Sequence, residues 1–145
     1  MKAGYFYANA TQMKKYLIAI VDDDPDDQEI FNAAFTENYD SIEIASFSGG
    51  TEFLDYLNAS EKLPNIVVTD MRMPLLSGND VIEQMKNNPR TSHIPVVILT
   101  GQGSDLERDK AMALGAVYFF LKPVNIIDYS ILTDRIVEKM NQNLS

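Results

Sequence analysis

Three carboxylates, one hydroxyl and one ammonium stand at the ends of four short apolar runs. YLIAIV (16–21) leads into Asp22 and Asp23, NIVVT (65–69) into Asp70, PVVILT (95–100) closes on Thr100, and the run ending YFFL (118–121) meets Lys122. Two adjacent carboxylates at the end of a buried strand repel each other and lose solvation, and a bound cation relieves both costs. The competing reading of Asp22 and Asp23, as two solvated loop acids, has comparable weight for the pair by itself. Hard oxygen donors without His or Cys suit Mg²⁺, which needs a near-octahedral oxygen shell. Three carboxylates leave such a site negative even with the metal, and one Lys then supplies a point charge for an anion such as a phosphoryl group. Aspartate is a covalent acceptor of phosphoryl groups, and phosphoryl transfer asks the protein mainly to position groups and neutralise equatorial oxygens. Asp70 is the nucleophile candidate, because Asp22 and Asp23 look like the metal end. Small Gly101 follows Thr100.

These residues form one site only if the runs are parallel strands. Strands are expected at 16–21, 42–47, 65–69, 95–100 and 117–121, with helices at 25–37, 50–58, 79–86, 104–114 and 125 to about 140. The second strand, apolar at Ile42 and Ile44 with Glu43 between, suits an edge. The helices carry apolar faces such as Ile30, Phe31, Ala34 and Phe35, or Phe53, Leu54 and Leu57. Gly115 closes the fourth helix at the usual helix-ending position. Strict strand–helix alternation implies an α/β fold, a parallel sheet with helices on both faces. In such open sheets ligands bind at the carboxyl edge of the strands. The DDDPDD stretch then divides. Asp24 fits an N-cap, Pro25 the first helical position, and Asp26 and Asp27 the first turn, where negative charge meets the positive end of the helix dipole. Asp22 and Asp23 stay on the sheet edge.

The composition bounds the function. The 145 residues suit one domain with a sizeable core, and 46% hydrophobic content places it among globular chains. A net charge of −9 disfavours nucleic acid and anionic membranes as partners. The absence of cysteine excludes disulfides, thiol catalysis and thiolate metal sites, and a single histidine, His93, cannot form a multi-histidine site. His93 is expected to be a surface or loop residue. No apolar run approaches the roughly 20 residues of a membrane span, and the start of the chain fits a signal peptide badly. A soluble, cytoplasmic protein is expected, with residues 1–14 an N-terminal extension of unknown role and 15–145 one domain.

From 16 to 140 the sequence resembles a receiver domain of the two-component response regulators. VDDD resembles the family's acidic pair, TDMRMPLLSG its phosphoacceptor segment, LTG its Thr/Ser followed by a small residue, and FLKP its Lys-Pro. The resemblance implies a five-stranded sheet of flavodoxin-like order 2-1-3-4-5. It implies phosphorylation at Asp70, and Mg²⁺ held by Asp22, Asp23, Asp70 and the main-chain carbonyl of Arg72. It implies a cis Lys122–Pro123 bond, and a switch in which Thr100 moves toward the phosphoryl group and an aromatic on the fifth strand, here Phe119, turns into the space left. Phe119 lacks the hydroxyl a Tyr would use to pin either state. Arg72 and Gln102 stand two residues after the acceptor and Thr100, where they can flank the incoming water. The donor would be a sensor histidine kinase or phosphotransfer protein. The output would be an unknown downstream protein bound on the face of the fourth helix, fifth strand and fifth helix, in a single-domain regulator that is not itself an enzyme. An aspartate-nucleophile phosphatase of another class would want an acid where Arg72 stands. A nucleotide-binding fold of this topology would want a Gly- or hydroxyl-rich loop where DDDPDD stands. The remaining alternative is a receiver-like binding module that is not phosphorylated.

Overall fold

The computed structural model describes residues 15–144; the extension expected over 1–14 lies outside them. Strands β1 (Tyr16–Val21), β2 (Ile42–Phe47), β3 (Ile66–Thr69), β4 (Val96–Thr100) and β5 (Tyr118–Leu121) alternate with helices α1 (Pro25–Asn38), α2 (Gly50–Ala59), α3 (Gly78–Lys86), α4 (Asp105–Leu114) and α5 (Asp128–Leu144). The sheet runs β2-β1-β3-β4-β5, and every neighbouring pair is parallel. This is the doubly wound, flavodoxin-like order that the resemblance implied.

The side-chain alternation of a strand explains how one sheet holds two cores. Ala19, Val21, Val67, Val96 and Ile98 point to one face and pack against Phe53, Leu57, Val81, Ile82, Met85 and Ala111 of α2, α3 and α4. Ile18, Ile20, Ile66, Val68, Val97 and Leu99 point to the other, against Phe31, Phe35, Leu132, Ile136 and Met140 of α1 and α5. The inner strands β3 and β4 are buried throughout, whereas edge strand β2 exposes Glu43 and edge strand β5 has no buried residue.

Local chemistry sets the helix ends. Asp24 caps α1, accepting from the N–H groups of Asp26 and Asp27, with Pro25 next. Ser77 with Asp80 and Ser104 with Glu107 form capping boxes on α3 and α4. Gly115 ends α4 at φ 120, a left-handed conformation that costs a glycine little. The last helix begins at Asp128, later than the apolar pattern at 125 suggests. Residues 125–130 first make turn bonds, Asp128 N–H to Asn125 C=O and Tyr129 N–H to Ile126 C=O. The implied cis bond at Lys122–Pro123 is corrected: no cis peptide occurs among the described residues, and this bond takes the trans form that X–Pro ordinarily favours.

Candidate functional site

At the carboxyl edge of the sheet, main-chain bonds hold the acidic residues before any side chain acts. Asp22 N–H donates to Phe47 C=O at 3.0 Å, and Asp70 N–H to Val21 C=O at 2.9 Å, so the sheet ladder itself sets β1 and β3 side by side at this edge. Gln28 of α1 adds a bridge that the sequence reading missed: its amide donates to the carbonyls of Asp22 (2.7 Å) and Phe47 (2.8 Å). The Asp22 side chain is turned by Asp24 N–H, which donates to Oδ1 at 2.9 Å. Met71 N–H does the same for Asp70 Oδ1 at 2.8 Å. Lys122 N–H donates to Thr100 C=O, which brings the Lys side chain in from β5.

The result is a cluster. Carboxylate oxygens of Asp22, Asp23 and Asp70 all lie within 4.8 Å of one another. Lys122 Nζ stands 2.8 Å from Asp22 Oδ2, 2.7 Å from Asp27 Oδ2 and 3.5 Å from Asp70 Oδ2. Asp22 and Asp70 are buried, Asp23 is exposed, and Lys122 is mostly covered. Burial raises the pKa of Asp22 above the usual carboxylate value, against the pull of its hydrogen bond to Lys122. Burial alone would lower Lys122, but its bonds to Asp22 and Asp27, with the charges of Asp22 and Asp70, push its pKa up. The ammonium is therefore a fixed positive charge among acids.

Asp22, Asp23, Asp70 and Lys122 thus come together as the strand-end reading expected. Thr100, from the same edge, is buried and donates its hydroxyl to Gln102 C=O at 3.0 Å. Phe119 packs against the first core with its ring tip over Gly103. A Cβ added at Gly103 would sit 2.6 Å from Phe119 Cζ and 3.3 Å from the Thr100 methyl. Thr100 and Phe119 are therefore neighbours. Gly101, in contrast, has open space around it, so no packing inside the chain demands its small size. His93 is exposed, away from this edge in the loop before β4. Asp27 was assigned only to the helix start. At the third helical position its side chain reaches back past the cap toward the strand end, and that spacing from Asp24 is the signal that could have found it.

Arg72, in the loop after Asp70, also has unforeseen partners. Its guanidinium donates to Gln102 C=O and to Glu107 Oε2, each at 2.6 Å. The same loop holds Leu75 at φ 72, with 91% of its surface exposed. A bulky residue in the left-handed region is a strained one.

The profile of the response regulator receiver domain matches residues 18–132. The chain belongs to this family. Receiver domains are in general signalling modules of two-component phosphorelays. A probable cyclic di-GMP phosphodiesterase of Vibrio cholerae is 34% identical over 121 residues, 83% of this chain but 26% of that protein. The chain thus spans about a quarter of that relative's length. The probable methanogenesis regulatory protein FilR2 of Methanothrix harundinacea is 29% identical over 85% of this chain and 82% of its own length. Among solved structures, a response regulator receiver domain protein from Clostridium thermocellum superposes with a TM-score of 0.71 at 30% identity, covering 88% of this chain and 98% of that chain. No helix among the described residues is long and apolar enough to cross a membrane.

Proposed function

We propose that this receiver domain accepts a phosphoryl group on Asp70 from a phosphohistidine of a sensor kinase or phosphotransfer protein. A carboxylate oxygen of Asp70 attacks phosphorus, the P–N bond breaks, and the imidazole nitrogen leaves with the electron pair. The observation that carries the reading is the Lys122 ammonium at 3.5 Å from Asp70, inside a group of acids whose oxygens lie within 4.8 Å of one another. Three carboxylates, of Asp22, Asp27 and Asp70, surround one ammonium, and Asp23 adds a fourth to the acid cluster, an imbalance that favours a hard divalent cation. Asp22, Asp23, Asp70 and the main-chain carbonyl of Arg72 would hold Mg²⁺. The metal, when bound, supplies charge neutralisation for phosphoryl oxygens.

The chain's own residues do the rest. The main-chain anchors of Asp70 hold its carboxylate in place for attack, and Lys122 balances charge on the transferred group. Thr100 offers its hydroxyl to a phosphoryl oxygen once it leaves Gln102 C=O, and Phe119 follows into the space behind it. The downstream protein is proposed to read the face of α4, β5 and α5, where Leu106, Met112 and Leu121 lie exposed. A cytoplasmic setting, without direct nucleic-acid or membrane binding, suits a net charge of −9.

The test is intact-mass spectrometry after incubation with acetyl phosphate, with and without Mg²⁺, beside Asp70→Asn. A gain of one phosphoryl group that requires both Mg²⁺ and Asp70 is expected. No gain, together with no Mg²⁺ binding, would favour a receiver-like module that only binds partners.

A further inference from the structure

Arg72 lies two residues beyond Asp70, yet its guanidinium is turned to the start of α4. Its donors satisfy Gln102 C=O and Glu107 Oε2 at 2.6 Å each. Gln102 C=O also accepts the Thr100 hydroxyl at 3.0 Å. One carbonyl oxygen is therefore shared by two donors, and both would be drawn by a new anion on Asp70. The Glu107 carboxylate is divided in a similar way. Its Oε1 accepts from Ser104 N–H at 3.2 Å in the capping box, and its Oε2 takes Arg72. Glu107 is held below the ordinary carboxylate range first by the Ser104 N–H, and also by Arg72.

We infer that Glu107 is a positioning residue that competes with the phosphoryl group for Arg72, and so sets the lifetime of the acyl phosphate while tying that lifetime to the start of α4. The inference rests on the reading of Asp70 as phosphoacceptor. In the unphosphorylated protein Arg72 closes a clamp between the β3–α3 loop and α4. A phosphoryl group on Asp70 offers a doubly charged, oxygen-rich partner that guanidinium fits better than it fits one carboxylate. When Arg72 turns to it, water has less access to phosphorus. Hydrolysis forms a bond from the water oxygen to phosphorus and breaks the bond from Asp70 to phosphorus; the Asp70 carboxylate and inorganic phosphate are released. Arg72 and Thr100 leave Gln102 C=O together, so the loop 101–104 and the first turn of α4 lose two anchors at once. The Arg72–Glu107 pair is half exposed, so the competition has modest strength.

The variant that separates these roles is Glu107→Gln. Gln serves the capping box as well as Glu does. With its oxygen kept on Ser104 N–H, its amide NH₂ faces Arg72 and cannot accept from it. The full chain is labelled with acetyl phosphate, the donor is removed at fixed Mg²⁺, and decay is followed by intact mass for wild type, Glu107→Gln, Arg72→Ala and the double variant. Glu107→Gln is expected to slow decay about two- to fivefold, the range an exposed ion pair supports. Arg72→Ala, which keeps the main-chain carbonyl, is expected to speed it. The double variant is expected to match Arg72→Ala, because without Arg72 there is nothing to compete for. Unchanged decay in Glu107→Gln, or an effect that persists in the Arg72→Ala background, would overturn the competition and leave the Asp70 reading intact. A wild-type chain that cannot be labelled would overturn both.

Discussion

Gly78 opens α3, and its N–H donates to Met71 C=O at 2.9 Å, so the acceptor loop folds directly onto it. A Cβ added there would lie 2.5 Å from Asp70 C=O, 3.0 Å from Ile98 Cδ1 and 3.1 Å from Met71 Cα. The first of these is roughly 0.8 Å closer than ordinary C–H···O contacts. Two of the three neighbours are main chain and cannot swing aside, so Gly78→Ala must move the acceptor loop or the start of α3. Overpacking of this kind costs about 1–3 kcal/mol. The gain of Ala over Gly within a helix, about 0.5–1 kcal/mol, offsets part of that. A net loss of about 1–2 kcal/mol corresponds to a melting point lower by about 3–8 °C in a domain of this size. The displaced atoms are the Asp70 carbonyl and the Met71 backbone that orients the Asp70 carboxylate, so labelling by acetyl phosphate should also slow, by about tenfold or more. Gly101→Ala is the control. It lies in the same edge with nothing within 4 Å of the added Cβ, and should melt at or slightly above wild type while labelling normally. Calorimetry and intact-mass kinetics on the two variants decide the matter. A Gly78→Ala chain that melts and labels like Gly101→Ala would refute the claim that the site's backbone is seated on Gly78.

Two other perturbations test what holds the site and the fold. Tyr39, which caps the end of α1, donates its hydroxyl to Asp134 of α5, and Tyr39→Phe should lower stability by about 1 kcal/mol at neutral pH. Burial, then Asp134, raises the pKa of Tyr39 above its usual 10.0. A raised folded-state pKa means that the contribution is complete below pH 10 and shrinks as pH rises toward the folded-state value. The melting gap between wild type and Tyr39→Phe should therefore narrow in alkaline buffer, and a gap that stays constant would count against the bond. Asp27→Asn removes the partner of Lys122 that, among the described residues, lies outside the expected metal ligands, leaving the ammonium on Asp22 and Asp70. Mg²⁺ affinity measured by calorimetry should fall about two- to fivefold more than in Asp26→Asn, which changes the charge equally on an exposed neighbour that has no bond to Lys122. Equal losses in the two variants would show that Asp27 acts only through its charge.

Much of this molecule was legible in its sequence because the signals were local. A six-residue apolar run followed by acids, or an Asp-Pro pair at a helix start, is written in neighbouring positions, and the strand ends follow directly. The parallel alternation then places Asp22, Asp23, Asp70, Thr100 and Lys122 on one edge without any knowledge of distances. What escaped was the pairing across that edge. Asp27 and Lys122 are separated by 95 residues, and Arg72 and Glu107 by 35, and no periodicity encodes such contacts. In both cases a local role is also sufficient by itself: Asp27 improves a helix start, and Glu107, which the sequence reading did not single out, completes a capping box in the structure. Each carboxylate has two oxygens, however, and a helix start uses one direction only.

The second direction is where function enters. An acid in the first turn of a helix that follows a strand of a parallel sheet is held at the ligand edge by the fold itself. Its structural role keeps it there whether or not a ligand comes. Asp27 and Glu107 both stand in that position, one after β1 and one after β4, and each holds a cation: Asp27 holds Lys122, which stands 3.5 Å from Asp70, and Glu107 holds Arg72, two residues along the chain from Asp70. On the proposed reading, a charge added at Asp70 would draw on cations that are already engaged. Any response of α1 and α4 to that charge would then follow from electrostatics at two helix starts, and would require no contact between the helices and the acceptor.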